Sequence, residues 1–177
     1  MSDYRRSRVP GGTYFFTLTL RDRNSDLLVT QIAALRNAVR QVMTKWQFHI
    51  DAWVVLPEHM HCLWTLPEND TDYSNRWRLI KAAFSRALPP VEQRSVIMVR
   101  RKERGIWQHR FWEHTIRDDR DYAAHMDYIH FNPVKHGLVG NAADWPFSSF
   151  RHCVAKELYP PGWVAAGDGL PDAGERQ

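Results

Sequence analysis

Two β-rich runs of sequence stand on either side of a two-residue break, and this spacing constrains the fold more than any other feature. The first run is FHIDAWVVL, the second is HMHCLWTL, and only Pro57 and Glu58 separate them. A connection this short joins antiparallel strands, because parallel strands need a long crossover. The sequence therefore predicts a β-hairpin, and the other elements must be arranged around it.

The elements around this hairpin follow a βαββαβ order. TYFFTLTLRD predicts a strand and IWQHRFWEHTI another, while RWRLIKAAFSRAL predicts a helix. Apolar residues also recur at helical spacing before the hairpin, at Leu28, Ile32, Leu35, Val39, Val42 and Trp46. This order predicts an α+β fold of the ferredoxin-like kind, in which an antiparallel sheet carries two helices on one face.

The remaining segments are expected to add to this sheet. RDDRDYAAHMDYIHFN predicts a further helix that Pro133 and Gly137 close, and its docking place is expected to be the other face of the sheet. EQRSVIMVRRKERG is expected to form a flexible loop or a short hairpin. Prolines and glycines near the end predict an extended, partly disordered tail over residues 151–177, so the domain spans residues 1–150.

Charge and composition bear on the class of partner. Lysine and arginine exceed the acidic residues by 24 − 20 = +4, with basic clusters in YRRSR and VRRKER. Such clusters favour partners that carry phosphate, although a solvated surface is the alternative. The two cysteines do not make a disulfide framework, and no apolar run approaches the ~20 residues that cross a bilayer. We therefore expect a cytoplasmic protein with no membrane partner.

Two histidines are placed to act together. In a strand, residues two apart point to the same face, so His59 and His61 share one face while Met60 and Cys62 share the other. Adjacent imidazoles can converge on one cation, and imidazole suits Mn, Zn, Fe or Ni. The alternative is a pair of half-buried histidines that bond to backbone or to a carboxylate, and the pair by itself does not decide between them.

The last predicted helix carries a second set of candidates. Tyr122, Met126 and Ile129 form its expected packing stripe, and Tyr128 lies to one side with Asn132 one turn ahead. A tyrosine hydroxyl can act as a nucleophile, and an amide oxygen can complete a metal site. The alternative is an interfacial tyrosine followed by an asparagine that caps the helix.

Four motifs resemble a known family when they are taken in order. They are LPEHMHCLW, GIWQHRFWEHTIRDDRDY, YIHFNPVKHGLV and WPFSSF, and the similarity covers about residues 4 to 151. The chain resembles the REP-associated tyrosine transposases, relatives of the single-tyrosine, His-hydrophobic-His transposases of small insertion sequences. One departure is Glu58, where the family commonly has asparagine before the first histidine; this carboxylate would either reach the metal or cap the turn.

The resemblance implies a specific chemistry. His59, His61 and Asn132 would hold Mg²⁺ or Mn²⁺, and Tyr128 would attack phosphorus to give a 5′-phosphotyrosine and a free 3′-hydroxyl. Asn132 directly precedes a proline, so the helix is expected to fray there. His125, His130 and His136 are further candidates to approach the site, and the sequence does not rank them.

The implied substrate is single-stranded DNA next to a hairpin, as in repetitive extragenic palindromes. The chain is expected to act as a monomer, with a dimer as the alternative. Basic residues can track the DNA backbone and exposed aromatics can stack on unpaired bases. The predicted DNA-binding residues are Arg5, Arg6, Arg8, Arg78, Lys81, Arg100, Arg101, Lys102, Arg110 and Lys135; Arg76 and Arg86 share the basic side of the second helix.

Two other functions remain compatible with these residues. A metallohydrolase would use His59 and His61 to activate water, and its activity would survive Tyr128→Phe. A nucleic-acid-binding ferredoxin-like module would use the histidines for structure, bind DNA in the presence of a chelator and form no covalent adduct.

Overall fold

The sheet has four strands and matches the predicted α+β fold. The computed structural model describes residues 6–90, 94–165, 171 and 173. The strands are β1 (Thr13–Thr19), β2 (His49–Val55), β3 (His59–Thr65) and β4 (Trp112–Thr115). Their order is β2-β3-β1-β4, and each neighbouring pair is antiparallel. This is the order of a ferredoxin-like sheet, and the predicted hairpin forms its β2-β3 edge.

Helices cover both faces of the sheet. The six α-helices of the described residues are α1 (Leu27–Thr30), α2 (Ile32–Lys45), α3 (Tyr73–Ala87), α4 (Val96–Arg100), α5 (Asp119–Lys135) and α6 (Phe150–Ala155). On one face, α2 and α3 pack over Phe16, Met60 and Trp64. On the other, α5 packs over Phe15 and Leu63. The extra helix therefore docks on the face predicted for it, and the strands alternate between two separate cores.

Two segments differ from their predicted structure. Ser95 accepts a hydrogen bond from the Met98 backbone N–H at 3.3 Å and caps α4, so the basic segment contains a helical turn rather than a hairpin. The C-terminal segment is not extended where it begins, because Phe150–Ala155 forms α6. Further along, Ala173 is buried in the α5 core. Cys153, Tyr159 and Ala173, among the described residues after 150, thus pack on the domain.

The cysteines lie on opposite faces of the sheet. Cys62 belongs to the core under α2 and α3, while Cys153 belongs to the core under α5. Both are free and buried, and burial raises the pKa of each thiol. No helix in the described part of the chain combines the length and the apolar character that crossing a membrane requires.

Candidate active site

The two histidines of β3 face α5 and are buried. His59 is 2% exposed and His61 is fully buried, and their ring centroids lie 5.0 Å apart with the planes at 77°. Met60, between them, points into the core under α2 and α3. The strand alternation therefore places both imidazoles on one face, where the helix with the tyrosine also packs.

Each imidazole is oriented by a partner at its Nδ1 atom. His61 Nδ1 lies 2.8 Å from Thr17 Oγ1, which itself donates its single hydroxyl proton to the Ala173 carbonyl at 2.7 Å. Thr17 must therefore accept its other bond, so His61 Nδ1 carries the proton and Nε2 carries the lone pair. This is the tautomer of an imidazole that binds a metal through Nε2.

Glu58 orients His59 in the same way. Its Oε1 atom lies 2.8 Å from His59 Nδ1 and 3.5 Å from Arg23. Burial raises the pKa of Glu58, but the His59 hydrogen bond and the nearby charges outweigh this effect, so the pKa lies below its usual value. An ionised carboxylate only accepts hydrogen bonds, which assigns the Nδ1 proton to His59. The residue that departs from the family pattern thus supports the first histidine.

The tyrosine helix begins at a cap and continues through its proline. Asp118 accepts a hydrogen bond from the Asp121 backbone N–H at 2.8 Å, which caps α5. The predicted fraying at Asn132 is wrong: Asn132 is fully buried and its carbonyl accepts from the His136 N–H at 3.0 Å. Pro133 removes only its own N–H from the ladder, and burial of this turn outweighs the local preference of a residue before proline.

Tyr128 lies at the centre of this arrangement. Its ring meets His61 edge-on at 5.2 Å between centroids, and it also contacts Phe15. Lys135, seven residues later on the same face of α5, donates from Nζ to the phenol oxygen at 2.9 Å. The structure therefore brings together a phenol, two imidazoles and an ammonium group, with Asn132 one helical turn from the phenol.

The three unranked histidines fall into different surroundings. The His136 ring lies 5.1 Å from the His59 ring, so this histidine borders the site. His130 bonds to Ser149 at 2.9 Å in the core, and burial lowers its pKa to about 4. His125 Nδ1 lies 3.2 Å from the Asp121 carboxylate, and burial lowers the pKa of His125 as well. His136 is therefore the one of the three that is adjacent to the predicted metal ligands.

Comparison with known proteins identifies the family. The chain is 52% identical over 177 residues to the REP-associated tyrosine transposase of Escherichia coli (strain K12), covering 99% of this chain and 98% of that protein. It is 48% identical over 165 residues to a putative REP-associated tyrosine transposase of Haemophilus influenzae (strain ATCC 51907 / DSM 11121 / KW20 / Rd), covering 92% and 93%. The chain belongs to the REP-associated tyrosine transposases.

A solved structure agrees with this family. The structure of a REP-associated tyrosine transposase bound to a REP hairpin superposes with a TM-score of 0.87 at 51% identity, and the match covers 100% of this chain and 99% of that one. No family model matches the chain. The family predicted from the order of the four motifs is confirmed, and the chain is a transposase, an enzyme that transfers DNA strands.

The predicted DNA-binding residues of this transposase occupy several places. Arg8, Arg110 and two residues at the end of α4, Arg100 and Arg101, are exposed. Arg6, Arg78, Lys81 and Lys102 line one cleft beside α3. Lys135 donates a hydrogen bond to Tyr128, and Arg5 lies outside the described residues.

One arginine of the predicted basic side of the second helix is not on the surface. Arg76 is 1% exposed and donates to both carboxylate oxygens of Asp70, at 3.1 and 2.6 Å. It also donates to the carbonyl of Gln47 at 2.7 Å. Arg76 therefore ties α3 to the end of α2 and has a structural role.

Sequence reasoning missed a second cluster in the transposase. His114, Asp121 and His125 offer ligand atoms within 4.8 Å of one another and could hold a metal ion. Burial raises the pKa of Asp121, but hydrogen bonds from His114 and Arg117 outweigh it and hold the pKa at about 2. The sequence did contain one signal, because Asp121 and His125 are four residues apart on one predicted helix. The sequence did not indicate that β4 would place His114 beside them.

Proposed function

We propose that this transposase cleaves and rejoins single-stranded DNA next to a hairpin, with Tyr128 as its nucleophile. The observation that carries the proposal is the contact between the Tyr128 ring and His61, with His59 beside them on the same sheet face. The relative with a TM-score of 0.87 is bound to a REP hairpin, and its match over the whole chain supports a hairpin substrate here.

The donor atoms at the tyrosine fit a divalent metal. His59, His61 and Asn132 would hold it, because both imidazoles are fixed at Nδ1 and present Nε2. When bound, Mg²⁺ or Mn²⁺ would polarise the scissile phosphate.

The His114, Asp121 and His125 cluster fits a metal less well. The two imidazoles are stacked almost parallel, at 16° and 4.6 Å, so the lone pairs in their planes do not converge. Asp121 Oδ2 already accepts bonds from His114 at 2.8 Å and from Arg117. We assign this cluster to holding the start of α5 against β4.

The residues of the chain account for the strand transfer as follows. The Tyr128 oxygen attacks phosphorus and gives up its proton, the bond from phosphorus to the 3′ oxygen breaks, and that oxygen takes a proton to become a hydroxyl. Lys135 donates its hydrogen bond to the phenol oxygen and stabilises negative charge on it, which matters when tyrosine attacks and again when it leaves. A 3′-hydroxyl then attacks the phosphotyrosine, so one diester replaces another and DNA is rejoined. These groups all belong to one chain, which fits the predicted monomer.

The decisive experiment detects the covalent adduct. The protein is incubated with labelled single-stranded hairpin DNA and Mn²⁺ or Mg²⁺, and we expect a labelled protein band that survives denaturation. The band should vanish in Tyr128→Phe and persist in Tyr122→Phe, a matched control on the same helix whose hydroxyl bonds to Asp51. Cleavage by Tyr128→Phe without an adduct would favour the metallohydrolase, and binding with no cleavage at all would favour the non-catalytic module.

A further inference from the structure

A row of side chains crosses the sheet beside the row that holds His61. Phe15 of β1 pairs with His114 of β4 on one side and with Leu63 of β3 on the other, so these side chains lie in line on the face that α5 covers. Thr17 pairs in the same way with His61. The two rows are neighbours, because residues two apart along a strand share a face and are about 6.6 Å apart.

Helix α5 contacts both rows with residues that are three positions apart. The His125 ring stacks on the His114 ring, with centroids 4.6 Å apart and planes at 16°, and it lies 4.8 Å from the Phe15 ring. Tyr128 meets His61 of the next row at 5.2 Å between ring centroids. Since residues i and i+3 lie on the same side of a helix, the row on which His125 rests determines the row that Tyr128 reaches.

The Phe15 ring connects these contacts. It is fully buried, and besides His125 it contacts the Tyr128 ring edge-on at 5.9 Å and stacks on the His61 ring at 5.4 Å. A close-packed protein interior has little free volume to absorb a displacement. A shift of His125 would therefore pass through Phe15 and change how the phenol of Tyr128 faces the imidazole of His61.

The carboxylate of Asp121 fixes the place of His125. Its Oδ2 atom accepts a hydrogen bond from His114 Nε2 at 2.8 Å, and Arg117 donates to the same atom from its backbone N–H at 3.0 Å and from Nε at 3.2 Å. His125 Nδ1 lies 3.2 Å from the other carboxylate oxygen and 2.8 Å from the Asp121 carbonyl. The Asp121 side chain is 8% exposed. One buried group thus joins β4, the connection that follows it and the first turns of α5.

We propose that Asp121 and His114 are positioning residues for strand transfer, which act through α5 and Phe15 to align Tyr128 with His61. This inference rests on the proposed function, because it assumes that Tyr128 is the nucleophile. A misplacement of about 1 Å in a reacting group can lower a rate on the order of 100-fold. The core under α5 and the hydrogen bond of a tyrosine in its first turns to β2 hold the helix on the sheet independently of Asp121. Loss of the Asp121 hydrogen bonds should therefore change alignment rather than unfold the protein.

The test separates alignment from binding. Asp121→Asn and His114→Leu should each slow single-turnover formation of the covalent adduct by about tenfold or more, while the dissociation constants for hairpin DNA and for Mn²⁺ change by less than about twofold. His114→Gln keeps a side-chain N–H donor and should recover most of the rate. The double variant should be slowed by less than the product of the two single effects, because both act on one bond. His49→Leu removes an exposed histidine beside Asp51 on β2 and should behave as wild type.

Ring contacts measured by NMR give a readout that does not depend on the reaction. Wild type should show a nuclear Overhauser contact between the rings of Tyr128 and His61, and another between Phe16 and Trp64 on the opposite face of the sheet, where the centroids lie 5.1 Å apart. Asp121→Asn should weaken the first contact and leave the second unchanged.

Two results would overturn the inference. An unchanged rate in both single variants would show that alignment does not depend on Asp121 and His114. Loss of the contact on the opposite face, or a loss of hairpin affinity as large as the loss of rate, would show that these residues only maintain the fold. Failure of the proposed function gives a different pattern, because wild-type protein would then form no adduct while Asp121→Asn would still weaken the contact between Tyr128 and His61.

Discussion

Replacing Lys135 by methionine tests whether this residue serves the nucleophile or the DNA backbone. The sequence predicts a phosphate contact, whereas the structure shows Nζ donating to the Tyr128 oxygen at 2.9 Å. Methionine keeps a long flexible side chain and removes the donor and the charge. We therefore expect the rate of adduct formation to fall while affinity for DNA is largely retained.

The magnitude follows from the type of bond and its exposure. A hydrogen bond to a charged group contributes about 1.5–3 kcal/mol. Lys135 is exposed, so solvent screening favours the lower end of that range, about 1.5 kcal/mol. This corresponds to a rate about tenfold lower, since each 1.36 kcal/mol is a factor of ten.

The assay is single-turnover formation of the covalent adduct at saturating DNA and metal, with the dissociation constant measured separately by anisotropy. Lys135→Arg keeps a charged donor and should recover part of the rate. Lys156→Met, an exposed lysine just after α6, serves as the matched control and should behave as wild type. An unchanged rate together with weaker DNA binding in Lys135→Met would refute the reasoning and restore the phosphate contact.

Three further predictions concern other parts of the molecule. Thr17→Val removes the acceptor that fixes the His61 tautomer and should weaken Mn²⁺ binding about tenfold by electron paramagnetic resonance, whereas Thr17→Ser should not. Arg76→Met should lower the free energy of unfolding in urea by about 3 kcal/mol at pH 7, because it removes a buried guanidinium that pairs with the partly exposed Asp70 and donates to the Gln47 carbonyl. The Arg76 hydrogen bond lowers the pKa of Asp70 in the folded protein below its ordinary value. The wild type should therefore keep this stabilisation at any pH above the ordinary pKa of Asp70, and lose it as the pH falls through the lowered pKa of the folded state. A difference in stability between wild type and variant that stayed constant under acid would contradict this. Since burial and the charge of Arg6 lower the pKa of Lys81 to about 8, affinity for single-stranded hairpin DNA should decline as the pH rises through 8 and should persist to higher pH in Lys81→Arg.

The elements of the fold could be predicted where local pattern and tertiary environment agree. Strict alternation in HMHCLWT fixed which side chains share a face, and the two-residue connection fixed the hairpin. Local rules failed where burial overrides them. Pro133 predicted the end of a helix, yet the helix continues to Lys135 because this turn is packed against the sheet. Arg76 looked like a surface cation because its ion-pair partner Asp70 lies in the preceding loop.

The hydrogen-bond partners of His61 and Tyr128 could not be predicted from the sequence, for a different reason. The bond from Thr17 to His61 spans 44 residues and depends on β1 pairing with β3 in a particular register. The contact of Lys135 with Tyr128 joins residues seven apart on α5, and it depends on the side-chain rotamer of the lysine, which periodicity does not give. Periodicity identifies the side of an element that is buried, but it does not specify which atoms meet there.

The burial of Met60 explains why the residue between the two histidines of the His-hydrophobic-His signature is apolar. Its side chain has no exposed surface and lies beneath the two-helix layer, on the side of the strand away from the phenol. An apolar residue is thus demanded by folding and contributes nothing to the reaction. A charged replacement would be expected to unfold the chain before it altered turnover. Natural substitutions at position 60 should consequently depend on the side-chain volume that the core under α2 and α3 accepts, and not on which DNA is recognised.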